Sequence, residues 1–386
     1  MRILHWYPNF QAGGGVANAV LGLALGQARL GAEVYVAAVR SSYGPLYEPM
    51  QVEEVRLVEW EPNRTVRVRR ACLRQPRSDD VRRFQATTPD LVHVHGEMNP
   101  DNLWIPQLFT CPMILSPHGG FHPQVFKRRA RMAKSLYFQI ARLMLYRHMR
   151  AFHALCGAER EHILRLLPEA QVYCVPGGPN VRVPVVFSPS PPAEDSGRVR
   201  FSFVGRLDVF TKGLDILLEA FAEAGRVLPG PRIVLTLVGP DWRSSMAWLK
   251  HRAYELGIGD QVTMTGAIPG RGVASILQQT DVYVQLSRHD GFPLSVSEAL
   301  LAGKPAILSD AIGTTSYHEV ALLPHVRILP PRVKEAAGAI ADFAHRLPEL
   351  KRSAEQHEGV IREFFSWARI AGLQLSTYDQ IIRDSV

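Results

Sequence analysis

One local unit constrains this chain more than any other, and it occurs twice. It is a short apolar strand, a glycine-containing loop, an amphipathic helix and a second strand. The first copy opens the chain. Residues 1–7 read as a strand and 8–15 as a loop ending in Gln11-Ala-Gly-Gly-Gly15. Val16, Val20, Leu23, Ala24 and Ala28 then recur at helical spacing, with Gly31 placed to cap the helix before a strand over 33–39. The second copy has a strand over 200–204, a loop over 205–213, a helix over 214–224 and a strand over 232–238. Strands alternating with helices form parallel sheets. Two such openings in 386 residues predict two α/β domains. Residues 184–197 are rich in Pro and Ser and read as a linker. The predicted boundaries are 1–183, a linker over 184–198, 199–365, and a C-terminal helix over 366–386. That helix is amphipathic and reads as packing, returning to the first domain.

In open α/β sheets, ligands sit beyond the carboxyl ends of strands. His95 and His118 end the strands over 90–96 and 113–120, and glycines follow His118. Gly239 and Gly266 end strands of the second half. Arg206 and Lys212 flank its first strand-to-helix loop, and two cations there suit a diphosphate. The densest stretch is 287–310. An apolar strand over 282–286 enters it, Gly291-Phe292-Pro293 turns the chain, a helix starts near Leu294, and Gly303 stops that helix before a strand over 306–308. A helix start after such a loop is an anion site, because free N–H groups and the helix dipole both point at the ligand. Asp290 before the helix and Glu298 inside it could hold hydroxyls on either side of that anion.

Charge is unevenly placed. Residues 1–185 hold 23 Lys+Arg against 14 Asp+Glu, and the remainder 21 against 22. One peak lies over 64–83. The other lies over 127–150, within a stretch over 121–158 that has no acidic residue, and includes Lys127, Arg128, Arg129, Arg131 and Lys134 interleaved with Leu, Phe, Tyr and Met. It reads as one or two amphipathic basic helices, either a solvated face or a contact for anionic lipid headgroups. No nucleic-acid module accompanies it. No stretch reaches the ~18 apolar residues of a membrane span. The four cysteines lack disulfide or metal spacing, and the N-terminus reads as a strand rather than a signal peptide. The expected location is cytoplasmic, peripheral to the inner face of a membrane.

These features resemble the retaining, nucleotide-sugar-dependent glycosyltransferases of family 4, with the GT-B fold of two Rossmann-like domains facing across a cleft. The strongest match is Asp290, Gly291, Phe292, Pro293, Glu298, Ala299, Gly303, Lys304 and Pro305. The first acid is usually Glu; Asp290 is one methylene shorter. Phe203-Val-Gly-Arg-Leu207 with Lys212-Gly-Leu214 is the second match. Residues 176–180 depart from the usual pattern at two places. The resemblance implies that Arg206 and Lys212 bind the leaving diphosphate, with N–H groups of Phe292, Leu294 and Ser295 at the helix start; Pro293 has none to give. It implies Glu298 on the ribose, Asp290 on the transferred sugar, Gly14 and Gly15 over the donor phosphates, and His118 near the reacting centre. The base would lie near Gly239 and Ile268. No cofactor and no essential metal are implied. Reaction by front-face attack and closure of the domains to exclude water are implied as well.

Three functional readings stay open at this point: transfer to a glycan or lipid-linked acceptor in cell-surface polysaccharide synthesis, transfer to a soluble small molecule, and non-catalytic binding of a sugar nucleotide. An NAD enzyme fits poorly, since no G-x-G-x-x-G follows either first strand.

Overall fold

The computed structural model describes residues 1–40, 54–68, 71–127, 131–187, 197–228 and 232–385. They divide into two compact units, 1–178 with 366–386, and 179–365. By contacts the division falls at 178. Residues 179–183 are held by the second unit: the Asn180 N–H reaches Glu298, and a Cβ at Gly270 would lie 2.5 Å from the Arg182 carbonyl. The start of the expected linker is packed too, with the Phe187 ring against Gly303. Residues 188–196 lie outside the described residues.

The first unit contains β1 (Arg2–Trp6), β2 (Glu33–Val39), β3 (Arg56–Trp60), a separate antiparallel hairpin of β4 (Pro62–Val68) and β5 (Ala71–Pro76), β6 (Leu91–His95), β7 (Met113–Ser116), β8 (Ala151–Ala154) and β9 (Val172–Cys174). Its parallel sheet has the order β3-β2-β1-β6-β7-β8-β9. Every residue of β6 and β7 is buried, as expected of strands covered on both faces. The sequence signals found the strands around the glycine loops. They did not find the β4–β5 hairpin, which occupies part of the first basic peak.

The second unit contains β10 (Arg198–Val204), β11 (Arg232–Val238), β12 (Val262–Gly266), β13 (Val282–Gln285), β14 (Ala306–Ser309) and β15 (Val326–Leu329). Its order is β12-β11-β10-β13-β14-β15. Numbered within the unit this is 3-2-1-4-5-6, the doubly wound Rossmann order. Phe201, Phe203, Leu235, Leu237, Val282, Val284 and Ile307 form the middle of its core, with Leu217, Phe221 and Ile340 from covering helices.

The C-terminal helix Trp367–Arg383 belongs to the first unit. It packs along helix Gly15–Arg29, and its Tyr378 and Ile381 cover Ile3, Leu91, Ile114 and Ala151 of the sheet. Close approach depends on two glycines. A Cβ at Gly22 would lie 2.2 Å from the Trp367 ring, and one at Gly26 would lie 2.7 Å from the Trp367 carbonyl.

Alanine in place of helical glycine normally gains up to about 1 kcal/mol of propensity. At Gly26 the backbone clash outweighs that gain, since overpacking typically costs about 1–3 kcal/mol. Gly26→Ala is therefore expected to lower the unfolding midpoint, whereas Ala at the unobstructed helical position Gly338 should be neutral or stabilising. Urea titration of both variants checks this.

Candidate functional site

β10 and β13 are adjacent strands, so the loops leaving their carboxyl ends start side by side. The β10 loop carries Arg206 and Lys212. Lys212 ends the one-turn helix Val209–Lys212, whose start is capped by Asp208 accepting the Thr211 N–H at 3.0 Å. Gly213 follows at φ +62°, and a Cβ there would sit 2.0 Å from the Leu286 carbonyl. Only glycine lets this loop lie against the end of β13. The Lys212 ammonium thereby reaches Asp290 and is ion-paired with its Oδ2. Gln285 Nε2 donates to the same oxygen at 2.9 Å. Asp290 Oδ1 has no hydrogen-bond partner among the described residues.

Arg206 stands apart from that pair. Its guanidinium lies over the Trp242 ring, 4.3 Å from the centroid, with Asp208 at 3.8 Å. Gly239 has φ +144°, and a Cβ on it would lie 1.9 Å from the Gly205 carbonyl. Its first role is thus to let the ends of β10 and β11 approach. Ile268 is half-buried in the loop after β12, against Gly272.

The turn at Gly291–Pro293 is anchored from both sides. Asp290 donates its N–H to Ala311 and accepts one from Gly313, at 3.1 and 2.9 Å. Phe292 is buried edge-on against Tyr317 and Phe365. Arg288 ties the loop to helix Leu214–Val227 by two bonds to Asp215, at 2.8 and 2.7 Å. Helix Leu294–Leu301 starts directly after Pro293, and its first N–H groups have no acceptor within the helix. Glu298 is 4 % exposed. Burial pushes its carboxyl up to about 7 despite the Asn180 N–H that favours the ion.

In the first unit, Gly14 has φ +92° and caps helix Gly15–Arg29, which has no acid in its first turn. A Cβ at Gly14 or Gly15 would meet nothing within 4 Å, so this loop is open space rather than packed glycine. His118 follows β7 in the left-handed region, at φ +52°. That is a strained place for a non-glycine residue. The turn is held by Glu159, which accepts N–H groups from Gly119 at 2.5 Å and Leu155 at 2.7 Å. His95 is not at the surface: it is buried and bonded to the His118 ring at 3.0 Å.

The second basic stretch forms helices Pro123–Lys127 and Arg131–Met144. Arg128 and Arg129 lie outside the described residues, as do the side chains of Lys127 and Arg131. Lys134 is turned inward rather than outward, donating to the Val125 carbonyl at 2.7 Å. The longer helix leaves Met132, Leu136, Ile140 and Leu143 exposed, at 87, 64, 38 and 65 %. Their spacing puts them on one face.

Sequence reasoning missed Gln285 and Trp242. A lone polar residue at the carboxyl end of an apolar strand was the available signal for Gln285. Nothing local marked Trp242, which matters only because the fold brings Arg206 over it.

Two family models tile the chain: Glycosyltransferase Family 4 matches residues 13–183, and Glycosyl transferases group 1 matches residues 188–357. Among curated relatives, a GDP-mannose:cellobiosyl-diphosphopolyprenol alpha-mannosyltransferase of Xanthomonas campestris is 29% identical over 224 residues, 57% of this chain and 56% of that protein. The chain thus spans about half the length of this relative. The protein of the same description from Komagataeibacter xylinus is 24% identical over 99% of this chain and 94% of its own length. Among solved structures, sucrose-phosphate synthase from Thermosynechococcus elongatus superposes with a TM-score of 0.76 at 20% identity, covering 99% of both chains. Anabaena HepE in complex with UDP-glucose gives 0.70 at 15% identity, covering 98% of this chain and 100% of HepE. These superpositions share the two-domain Rossmann-like fold.

The raised carboxyl of Glu298 makes a prediction about stability. Its folded-state value of about 7 exceeds the ordinary 4.5. The folded state therefore holds the proton more tightly, and stability falls as pH rises from 4.5 through 7. Glu298→Gln should remove that fall and stabilise the ligand-free protein above pH 7 by about 2–3 kcal/mol. Denaturant titrations at pH 5.5 and 8.5 test it, and equal pH dependence in both proteins would refute the assignment.

Proposed function

The chain belongs to the family 4 glycosyltransferases, and from that premise we propose that it moves a sugar from a UDP- or GDP-linked donor to a glycan or lipid-linked acceptor, with retention at the anomeric carbon. The observation that carries this reading is the placement of Arg206, Lys212 and Asp290 on the two loops that part beside β10 and β13. Breaking the anomeric C–O bond leaves negative charge on the diphosphate. Arg206, Lys212 and the start of helix Leu294–Leu301 supply stabilisation for it without rearranging, and such preorganised charge is often the largest catalytic contribution. Lys212 has three donors, so it can keep Asp290 while bonding a phosphate oxygen. Both protein contacts to the Asp290 carboxylate among the described residues fall on Oδ2. Oδ1 is left for hydroxyls of the transferred sugar. Glu298 would accept from the ribose hydroxyls, the glycines at 14 and 15 would admit phosphate oxygens close to backbone, and His118 would meet the sugar. This arrangement calls for no divalent metal.

A membrane-linked acceptor is favoured by helix Arg131–Met144. An exposed apolar stripe beside a basic, acid-free stretch suits a peripheral helix at an anionic bilayer, where apolar burial and charge attraction act together. No helix among the described residues is long and apolar enough to cross a membrane. The relatives from Xanthomonas and Komagataeibacter carry a diphosphopolyprenol acceptor in their descriptions, which agrees in kind. We infer a role in building surface polysaccharide on a lipid carrier. Transfer to a soluble acceptor is the second reading, and detergent-free activity on such an acceptor would favour it.

Two measurements test this. Arg206→Ala and Lys212→Ala should each lower kcat by about 10²–10³-fold with a smaller change in donor affinity; unchanged turnover in both would overturn the clamp. Sedimentation with anionic vesicles should show salt-dependent binding that Leu136→Glu with Leu143→Glu removes. An absence of binding at low salt would sink the membrane reading.

A further inference from the structure

The first unit buries His5, His93, His95 and His153 in its interior, and they connect to the ring of His118. The nitrogens of His5, His93 and His95 lie within 4.8 Å of one another. Each of those ring nitrogens already has a hydrogen-bond partner, so the cluster is a relay rather than a cation site.

The relay has a direction, and a backbone carbonyl sets it. His153 Nε2 lies 2.8 Å from the Val175 carbonyl, which can only accept, so Nε2 carries the proton. A neutral ring has one proton, so His153 Nδ1 accepts from the Ser116 hydroxyl at 2.7 Å. The Gln374 amide nitrogen stands 2.9 and 3.2 Å from the two nitrogens of that ring and selects neither. Ser116 Oγ, its proton committed, accepts from His93 Nε2 at 2.6 Å, and His93 Nδ1 accepts from the Tyr378 hydroxyl at 2.5 Å. Tyr378 then presents only lone pairs to its other neighbour, the Gln27 amide. The Gln27 nitrogen has no hydrogen-bond partner among the described residues, and lone pairs beside the amide favour its N–H groups over a second acceptor. That turns Gln27 Oε1 toward His5 Nε2, at 2.8 Å, and an oxygen there requires Nε2–H. His5 Nδ1 accepts from His95 Nε2 at 2.9 Å, and His95 Nδ1 accepts from His118 Nε2 at 3.0 Å. Burial keeps the rings neutral, holding His5 and His153 down to about 4 and His118 to about 3.

We propose that this chain of polar contacts, running from the Val175 carbonyl through Tyr378 and Gln27, locks His118 as the Nε2–H tautomer and presents its bare Nδ1 as an acceptor for a hydroxyl of the transferred sugar. The sugar contact rests on the function proposed above; the tautomer does not. Gln27, His5, His95 and Tyr378 are positioning residues, acting through His118 and touching no substrate. A lone pair in this place selects for a hydroxyl and against a carboxylate, so neutral hexosyl donors are favoured over uronosyl donors.

The test is a multiple-bond ¹H–¹⁵N correlation of the full chain labelled at histidine nitrogen, with His118 assigned by comparison with His118→Gln. Between pH 6 and 8 the wild-type His118 should show Nδ1 as pyridine-type and Nε2 as pyrrole-type. Tyr378→Phe frees the Gln27 amide to turn, and the His118 pattern should become a mixture of both tautomers. Its kcat/KM should fall about tenfold for the sugar donor while affinity for the free nucleoside diphosphate is unchanged. A protonated Nδ1 or a charged ring in the wild type overturns the proposal, as does an unaltered pattern in Tyr378→Phe. Turnover of His118→Ala separates the two readings. If it equals wild type, the sugar contact fails while the spectrum still decides the tautomer.

Discussion

A right-handed connection between parallel strands is the constraint on which both units depend. Wound outward in both directions from β1 and from β10, each sheet reverses its strand order at one point, β1/β6 in the first and β10/β13 in the second. Loops leaving the sheet there part from each other and leave a crevice. The charged groups assigned to donor chemistry in the second unit stand on that crevice. Arg206 and Lys212 leave β10, and Asp290 and Glu298 follow β13. Gly213 and Gly239 keep the loops close, since their Cβ atoms would strike the Leu286 and Gly205 carbonyls.

The charges in that crevice are positioned before any ligand arrives. Lys212 and Asp290 are about 15–17 % exposed, enough shielding for their attraction to hold both side chains in one place. Gln285 braces the same loop from the strand, and Asp215, through Arg288, from the neighbouring helix. Arg206 is braced differently, with its guanidinium 4.3 Å from the centroid of the Trp242 ring. One cation is thus held by charge and the other by an aromatic surface.

The first unit buries His5, His93, His95 and His153 in its interior. A buried imidazole is tolerated when each nitrogen has a partner, and here the partners are Gln27, Tyr378, Ser116, the Val175 carbonyl and other histidines. The C-terminal helix takes part in this. It was expected to contribute packing alone, yet Tyr378 and Gln374 bring hydroxyl and amide groups to His93 and His153. The helix therefore covers the sheet with apolar residues and supplies polar links to the interior in the same turns.

Glycine, proline and strand periodicity carried the fold class and the loops at 8–15, 205–213 and 287–293, because these are local conformational demands. The two acids and two cations were legible for the same reason: they sit at fixed offsets from those loops. The hairpin β4–β5 escaped notice because its alternation is masked by arginines. The packing of Asn180 and Arg182 was not legible, because it is with residues about a hundred positions away. Sequence alone determined which residues line the strand ends. Tertiary structure decided what holds them: Lys212 on Asp290, Arg206 on Trp242, and His118 at the end of a relay whose His93–Tyr378 link joins positions 285 residues apart. Hydrogen bonds and ion pairs depend on distance in space, and local patterns carry no record of it.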